Sequence, residues 1–317
     1  MNKKNPFPYS HDNKRYYTWN HYLKTTFKQK VFKVPLDAGF SCPHRVNGIG
    51  GCTFCSSAGS GDYAQNRSDN LLNQYNAGFE MMAKKWPLAQ GIAYFQAYTN
   101  TYAPLEKLKE IYDPFFDDHP CIAVAIATRT DCLDDEIIDY LKFKSTVKPL
   151  YLEIGVQTIH PVTALRINRR ENIEDIEKKL VRLKDAGFNL VLHIINGLPD
   201  ETEAMMLDTI RWVAKIKPFA VKIHMLHIIK DTVLARQFER NPFPVLSKEE
   251  YVDIVVKQLE LLPSDIVIQR LTGDAVADDL IEPEWTLRKV SVLNDIDKTM
   301  AQRNSWQGRI YDLEKHQ

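Results

Sequence analysis

Three of the five cysteines in this chain of 317 residues lie within fourteen positions. Cys42, Cys52 and Cys55 occur in residues 38–55, a segment rich in glycine that lacks helical or strand periodicity, so we predict a loop. Soft thiolates are ligands for zinc and for iron–sulfur clusters. This loop is therefore the first candidate for a metal centre.

Two metal centres are compatible with these ligands. Together with His44, the three cysteines would form a Cys3His zinc site. Two cysteines separated by two residues, as Cys52 and Cys55 are, commonly supply two of the four ligands of such a site. Alternatively, the cysteines bind three irons of a [4Fe–4S] cluster and leave the fourth iron open to a ligand that is not protein. The zinc alternative predicts a zinc-stabilised binding module without catalysis, whereas the iron alternative predicts an enzyme.

The spacing of the cysteines resembles the signature of radical SAM enzymes, and more closely that of the Elp3 branch. Nine residues separate Cys42 from Cys52, two separate Cys52 from Cys55, and the aromatic Phe54 directly precedes the last cysteine. The resemblance implies a [4Fe–4S] cluster whose open iron binds S-adenosylmethionine (SAM), which is cleaved to methionine and a 5′-deoxyadenosyl radical. It also implies an electron donor, for which we expect flavodoxin or ferredoxin.

Composition indicates a globular protein, because 44% of the residues are hydrophobic and the length is sufficient for a large core. No apolar run approaches the length of a membrane span, and no signal-peptide core follows the first residues, so we expect a cytoplasmic protein without a membrane partner. The odd number of cysteines also disfavours an oxidising compartment. Cys121 and Cys132 are interpreted as packed thiols.

The N-terminal part of the chain is strongly basic. Residues 1–47 contain nine Lys or Arg residues against two acidic ones, a net charge of +7, so the remainder carries −7. Positive charge beside the cysteines, mixed with aromatic rings, is typical of an RNA-facing surface that attracts phosphates and stacks on bases. The alternative is an N-terminal cap whose rings belong to the core. The rings are those of Phe7, Tyr9, Tyr16, Tyr17, Trp19, Tyr22 and Phe27.

Strand and helix patterns alternate along the chain after a short first helix at 20–27. This alternation predicts parallel strands joined by right-handed crossovers. We expect an α/β fold, a partial (β/α)6 barrel of the radical SAM type, with a doubly wound open sheet as the alternative. Predicted strands cover 30–36, 92–98, 122–127, 150–154, 190–195, 221–228 and 266–270; predicted helices cover 71–85, 105–112, 134–143, 173–186, 202–216, 248–262 and 283–303.

The predicted barrel extends over residues 30–274. It is preceded by a basic and aromatic arm, residues 1–29, and followed by a helical extension, residues 275–317. Only about forty residues follow Asp274, so we expect no acetyltransferase domain of the kind that Elp3 carries after its radical domain. Ligands are expected at the carboxyl ends of the strands.

Polar residues follow the second and third predicted strands. Tyr98, Thr99 and Asn100 stand where radical SAM enzymes carry a Gly-Gly-Glu-like segment that meets the amino group of SAM, although the glycines are missing here. An ordinary capped turn is the alternative. Thr128 and Arg129, with Asp131, resemble the Thr-Arg-x-Asp part of an Elp3 motif; a local ion pair between Arg129 and Asp131 is the alternative.

The fourth and fifth predicted strands continue this resemblance, which extends to the oxygen-independent coproporphyrinogen oxidases. It implies that Gln157 bonds the ribose of SAM and that Arg169, twelve residues later, pairs with the SAM carboxylate, as a guanidinium fork can. Glu153 is a further candidate for the cofactor site. Gly197 and Leu198 belong to a turn that is expected to lie along the adenine, and His193 stands where the oxidases have Asp, with a packed strand histidine as the alternative.

The sixth predicted strand carries Lys222 and His224 on one face, where they would line the barrel lumen. A lysine buried beside a histidine is costly without a role, so both are candidates for catalysis at the substrate. Arg270, Asp274 and Trp285 follow near the end of the sheet. They suit recognition of a polar substrate or, alternatively, a capped turn.

The resemblance implies hydrogen-atom abstraction or radical addition in a lumen closed to water. We expect the substrate to be the side chain of a modified tRNA base, at the wobble uridine, because of the Elp3 resemblance and the basic aromatic arm. The alternatives are a small-molecule substrate, as in the porphyrin branch, and the non-catalytic zinc module.

Overall fold

Seven parallel strands form a single curled sheet, a half-barrel, in the computed structural model, which describes residues 7, 14–45, 50–56, 59 and 68–314. Within the described residues, the seven strands lie in the sheet in the order in which they occur along the chain. The strands are β1 (Val31–Leu36), β2 (Gln90–Phe95), β3 (Ala123–Thr128), β4 (Leu150–Gln157), β5 (Asn189–Asn196), β6 (Ala220–Met225) and, after the short β7 (Ile228–Ile229), β8 (Val267–Arg270).

The order of the strands confirms the partial barrel and excludes the doubly wound alternative, in which the strand order reverses at a switch point. Helices of the crossovers pack on the outer face of the sheet, where they share one large hydrophobic core with it. In the described part of the chain the helices are α1 (Trp19–Phe27), α2 (Leu71–Ala83), α3 (Leu105–Asp117), α4 (Asp135–Val147), α5 (Pro161–Arg166), α6 (Ile173–Asp185), α7 (Glu203–Ile216), α8 (Val233–Arg240), α9 (Lys248–Leu261), α10 (Lys289–Gln302) and α11 (Arg309–Glu314).

Alternation along the strands separates the two faces of the sheet. On β3, Val124 and Ile126 point outward into the helix-covered core, whereas Ala123 and Ala125 point to the concave side. The concave side is the lumen of the half-barrel. Its lower part, at the amino ends of the strands, is apolar and closed by aromatic rings, and charged residues lie above.

The described part of the N-terminal arm closes the lumen at the amino ends of the strands. Trp19 packs edge-on against Tyr151 with 5.2 Å between ring centroids, and Tyr22 packs against Phe219 at 4.9 Å. β1, six residues and about 20 Å long, separates this segment from the cysteines, so the positive charge of residues 14–30 lies away from them. Arg45, which also belongs to the basic part of the chain, lies close enough to Cys42 and Cys55 to lower their pKa values, although burial raises them more. Of the remaining expected rings, Tyr9 lies outside the described residues.

Several boundaries differ from the predicted ones. The second strand ends at Phe95 and the sixth at Met225, because the chain turns there toward the cysteine side. The predicted helix 283–303 begins only at Lys289, after a short 3-10 turn, Glu284–Leu287. The structure also adds α5, α8 and an antiparallel ribbon of β7 with β9 (Leu280–Glu282).

None of the described helices combines the length and the apolar character that crossing a bilayer requires.

We predict that Leu23→Ala lowers the free energy of unfolding by about 2–5 kcal/mol, because Leu23 is 3% exposed in the apolar floor of the lumen and a cavity would remain. Chemical denaturation of the two proteins measures the difference. Leu88→Ala is the control, since Leu88 is 91% exposed and its truncation should change the stability by less than about 0.5 kcal/mol. Equal effects of the two substitutions would contradict this position for α1.

Candidate cluster and cofactor site

The three cysteines of the loop are free, half-buried thiols at the carboxyl end of β1. Cys42 begins a single 3-10 turn in which the Arg45 amide donates to its carbonyl at 2.9 Å. The amide of Cys55 donates to the carbonyl of Cys52 at 3.2 Å, so these two cysteines share a tight turn. Residues 46–49, between the two turns, lie outside the described residues.

Neighbouring segments hold this loop through its backbone. The Thr53 amide donates to the Ile167 carbonyl at 3.0 Å, and the Thr53 carbonyl accepts from the Leu234 amide at 2.8 Å. The side chain of Asn168 donates to the carbonyl of Gly51 at 2.6 Å. Asn168 is thus a positioning residue that the sequence analysis missed; its position directly before Arg169 in an Asn-Arg pair was the available signal.

Contacts between the thiols shift their acidities in opposite directions. The pKa of Cys52 is lowered well below its usual value, chiefly by a hydrogen bond with the Cys55 thiol and further by His44 at 3.2 Å. The pKa of Cys55 is raised by the same hydrogen bond and by burial. Burial also raises the pKa of Cys42, and a hydrogen bond from the Thr99 hydroxyl at 3.0 Å opposes that effect. The loop thus already favours one thiolate, the form that binds metal.

The segment after β2 contacts the loop directly. The Thr99 amide donates to the Ser41 carbonyl at 3.3 Å, and the Arg45 guanidinium lies 4.9 Å from the centre of the Tyr98 ring. Asn100 differs from the expected cofactor contact: it is fully buried, and its amide donates to the carbonyls of Phe95, Ala97 and Ala127 at 3.0–3.1 Å. Its side chain therefore braces the turn.

Arg129 and Arg169 meet in a buried ion-pair network. Arg129 forms a bidentate pair with Asp131 at 2.9 and 2.7 Å, and it also donates to the Arg169 carbonyl at 3.0 Å. The Arg169 guanidinium donates to the Gly155 carbonyl at 3.1 Å and pairs with Glu171. The local ion pair that was one alternative for Arg129 is thus present. A SAM carboxylate would have to compete with Glu171 for Arg169.

Gln157 and Thr128 lie at strand ends in different surroundings. Gln157 adopts a positive φ of 69°, and its amide folds back over Gly155, where a Cβ would lie only 2.5 Å from it. A side chain at position 155 would therefore displace the Gln157 amide from this position. Thr128 is 5% exposed, and its hydroxyl bonds that of Thr101. Thr128 therefore connects two neighbouring strand ends.

The turn after β5 combines backbone freedom with apolar packing. Gly197 has a φ of 84°, which favours glycine. Leu198 is 2% exposed and packs in a cluster with Ile167 and Phe243. The Leu198 side chain is thus part of the packing, and only the backbone of this turn remains available to a ligand.

The predicted lumen residues come together around Glu153. Its carboxylate contacts Lys33 and Lys222, and His193 lies 3.0 Å from it. The rings of His193 and His224 are 5.5 Å apart. Glu153 thus lies within the lumen and bonds to protein cations, which differs from the expected cofactor contact. Lys33 was not among the candidate residues of the sequence analysis. It stands between Phe32 and Val34 on a strand, so its side chain faces the opposite side of the sheet from theirs, and this was the available signal.

Residues near the end of the sheet are already paired. Asp274 forms ion pairs with Arg270 and with Lys289, and the Trp285 indole donates to the Leu246 carbonyl at 2.8 Å. This arrangement corresponds to the alternative of a braced turn.

Comparison with known proteins gives this site its family. Residues 40–213 match the profile described as the Radical SAM superfamily, and residues 218–302 match the Radical_SAM C-terminal domain. The chain therefore belongs to the radical SAM superfamily. YtqA of Bacillus subtilis is 42% identical over 313 residues, which are 98% of this chain and 97% of that protein.

Two further matches concern the Elp3 branch and confirm the resemblance. A tRNA uridine(34) acetyltransferase of Methanocaldococcus jannaschii is 29% identical over 169 residues, 52% of this chain and 30% of that protein. The solved structure of the archaeal Methanocaldococcus infernus Elp3 with an N-terminal deletion has a TM-score of 0.68 at 17% identity. It covers 88% of this chain and 64% of that chain, and shows a shared fold.

The loop fits the cofactors that the family uses, a [4Fe–4S] cluster and SAM. Cys42, Cys52 and Cys55 would hold the cluster, because they are free thiols of one loop and the lowered pKa of Cys52 favours its thiolate. The chain is thus an enzyme of the radical SAM class and not a zinc module. In the described part of the chain, no three His, Cys, Asp or Glu side chains, the three cysteines included, are placed to hold one metal ion, so the choice of a cluster over zinc rests on the family match.

We predict that Cys52→Ala loses the cluster, because the remaining two thiolates cannot bind three irons. After anaerobic reconstitution, the wild-type protein should contain about four irons per chain and the variant much less. Iron and sulfide assays and the visible absorption spectrum measure the difference. Cys132→Ala is the matched control, since Cys132 is another half-buried free thiol outside the loop. Iron loss in the control, or full iron content in Cys52→Ala, would contradict the ligand assignment.

Proposed function

We propose that this radical SAM enzyme acts on the side chain of a modified tRNA base, at the wobble uridine. The observation that carries the proposal is the match over 169 residues to a protein whose name is tRNA uridine(34) acetyltransferase. Position 34 is the wobble position of the anticodon. Because the match covers 52% of this chain and 30% of that protein, it supports a shared substrate class and not a shared reaction.

The arrangement of the lumen supports chemistry that must exclude water. The cluster and SAM supply hydrogen-atom abstraction or radical addition when they are bound. The chain contributes a floor closed by Trp19 and Tyr151 and a wall of β-strands that shields the reacting atoms from solvent. A base would therefore approach from the cysteine side, at the carboxyl ends of the strands.

The residues proposed for SAM contacts lie at or shortly after the carboxyl ends of the strands, the edge of the sheet at which the cysteine loop begins. Half-buried Tyr98 and Gln157 and the backbone of Gly197 offer polar atoms at successive strand ends. Arg169 joins them if the SAM carboxylate replaces Glu171 as its partner.

Flavodoxin or ferredoxin is the proposed reductant. The proposed location is the cytoplasm, where tRNA is modified.

We predict that deletion of the gene changes the wobble-uridine nucleosides of total tRNA. One modified uridine should accumulate and another should disappear, and liquid chromatography with mass spectrometry of digested tRNA measures both. Complementation with the wild-type gene should restore the profile, whereas Cys52→Ala should not. An unchanged nucleoside profile would overturn the tRNA proposal and direct attention to small-molecule substrates.

A further inference from the structure

Two lysines and one carboxylate meet in the middle of the lumen. Lys222 on β6 donates to Glu153 Oε2 at 2.5 Å, and Lys33 on β1 contacts Glu153 Oε1. The side chain of Glu153 is 0% exposed, and that of Lys222 is 8% exposed. One buried negative charge therefore faces two ammonium groups from opposite sides.

The other ionisable groups around this cluster do not balance it. Burial lowers the pKa of His193 to about 4 and that of His224 well below its usual value, so both rings are neutral at pH 7. Burial raises the pKa of Tyr94, whose hydroxyl accepts from Lys222 at 3.1 Å, so this phenol is also neutral. Strand β3 contributes the apolar Ala125.

Arg270, on β8, is paired with Asp274, which also pairs with Lys289. These three groups carry a net charge of +1, but the side chains of Arg270 and Lys289 are 39% and 40% exposed, so solvent compensates that charge and no negative charge is left for the interior. The cluster around Glu153 therefore contains two lysine amines and one carboxylate, and it would carry a surplus of one positive charge with both lysines protonated, the state that a bound anion favours.

Gln269 adds an unused donor to the same cluster. Its Oε1 accepts from Lys33 at 2.9 Å, and because an ammonium group can only donate, this contact fixes the orientation of the amide. The Nε2 of Gln269 is then a buried donor without a hydrogen-bond partner. Buried donors without acceptors are rare in folded proteins and often indicate a missing ligand.

A surplus cation in a low-dielectric interior is costly unless an anion compensates it. In accordance with this cost, burial lowers the pKa of both lysines, and most strongly that of Lys222. The lumen is not sealed, since the side chains of Lys33 and His193 retain 15% and 17% exposure. A single surplus charge matches a carboxylate, whereas a phosphomonoester carries about two negative charges at pH 7.

We propose that Lys33, Lys222 and the Gln269 amide form a binding site for a carboxylate group of the substrate. The carboxylate accepts hydrogen bonds from the two ammonium groups and from Gln269 Nε2, and Glu153 holds the two lysines in place. The inference deepens the function proposed above, on which it rests for the identity of the molecule that bears the carboxylate. The substrate is then a modified base whose side chain ends in a carboxylate.

The test uses acetate as the probe and acetamide as its neutral isostere, with the anaerobically reconstituted full chain at matched ionic strength. We expect acetate above its Kd to raise the Tm by about 1–3 °C relative to acetamide. Inorganic phosphate should raise it less. No difference between acetate and acetamide would overturn the site, and a larger effect of phosphate would overturn the assignment to a carboxylate.

Two lumen variants should change this acetate effect in opposite directions. Lys222→Met removes the surplus charge and leaves Lys33 paired with Glu153, so the acetate effect should vanish while the protein remains folded. Glu153→Gln leaves two lysines without their carboxylate, so the effect should increase. Lys107→Met, at a lysine whose side chain is 53% exposed on α3, should retain the wild-type effect. An unchanged acetate effect in both lumen variants would overturn the proposal.

This test and the nucleoside comparison can fail independently. An acetate effect that depends on Lys222, combined with unchanged tRNA nucleosides, would support the carboxylate site and overturn the tRNA substrate. Changed nucleosides combined with no acetate effect would support the tRNA substrate and overturn the carboxylate site. If both succeed, the nucleoside that accumulates in the deletion strain should carry a carboxylate, which its retention on anion exchange at pH 7 shows.

Discussion

The curl of the parallel sheet is the constraint from which the rest of this molecule follows. Strands that run in one direction bring their carboxyl ends to the same edge, and curling turns alternate side chains of distant strands toward each other. Lys33, Glu153 and Lys222 come from the first, fourth and sixth strands, yet they touch. In a flat sheet with strands about 4.8 Å apart, two strands would lie between those of Lys33 and Glu153, and the two side chains would not touch.

Polarity inside the lumen changes with height. The floor is aromatic and apolar, the middle layer is charged, and the upper edge carries thiols and backbone carbonyls. Because water is excluded below, the charges of the middle layer interact more strongly than they would at a surface. This gradient allows one small fold to separate stability at the amino ends of the strands from chemistry at the carboxyl ends.

The cysteine loop depends on its neighbours for its shape. Its backbone is bonded by Thr99, Ile167, Asn168 and Leu234, which come from three later connections. The helices α5 and α8, which lie beside the last three of these residues, were not predicted, because helices of six and eight residues leave little periodic signal. The support of the site was therefore harder to predict than the site itself.

The amino-acid sequence by itself predicted the alternation of strands and helices, supplied three candidate metal ligands and, through the family resemblance, indicated the class of chemistry. Cysteine spacing and strand periodicity are local patterns, and they need no knowledge of distant contacts. All seven strands of the sheet were predicted within a few residues, although their ends were displaced where the chain turns toward the site.

Only the tertiary structure decided which charges meet. The family resemblance implies a cofactor carboxylate as the partner of Arg169, and in the structure Arg169 pairs with Glu171. The described part of the N-terminal arm lies at the opposite end of the strands from the cysteines. Glu153 and Lys33 are 120 positions apart along the chain. Their contact is set by the curvature of the sheet, a property of all strands together that no local sequence pattern encodes.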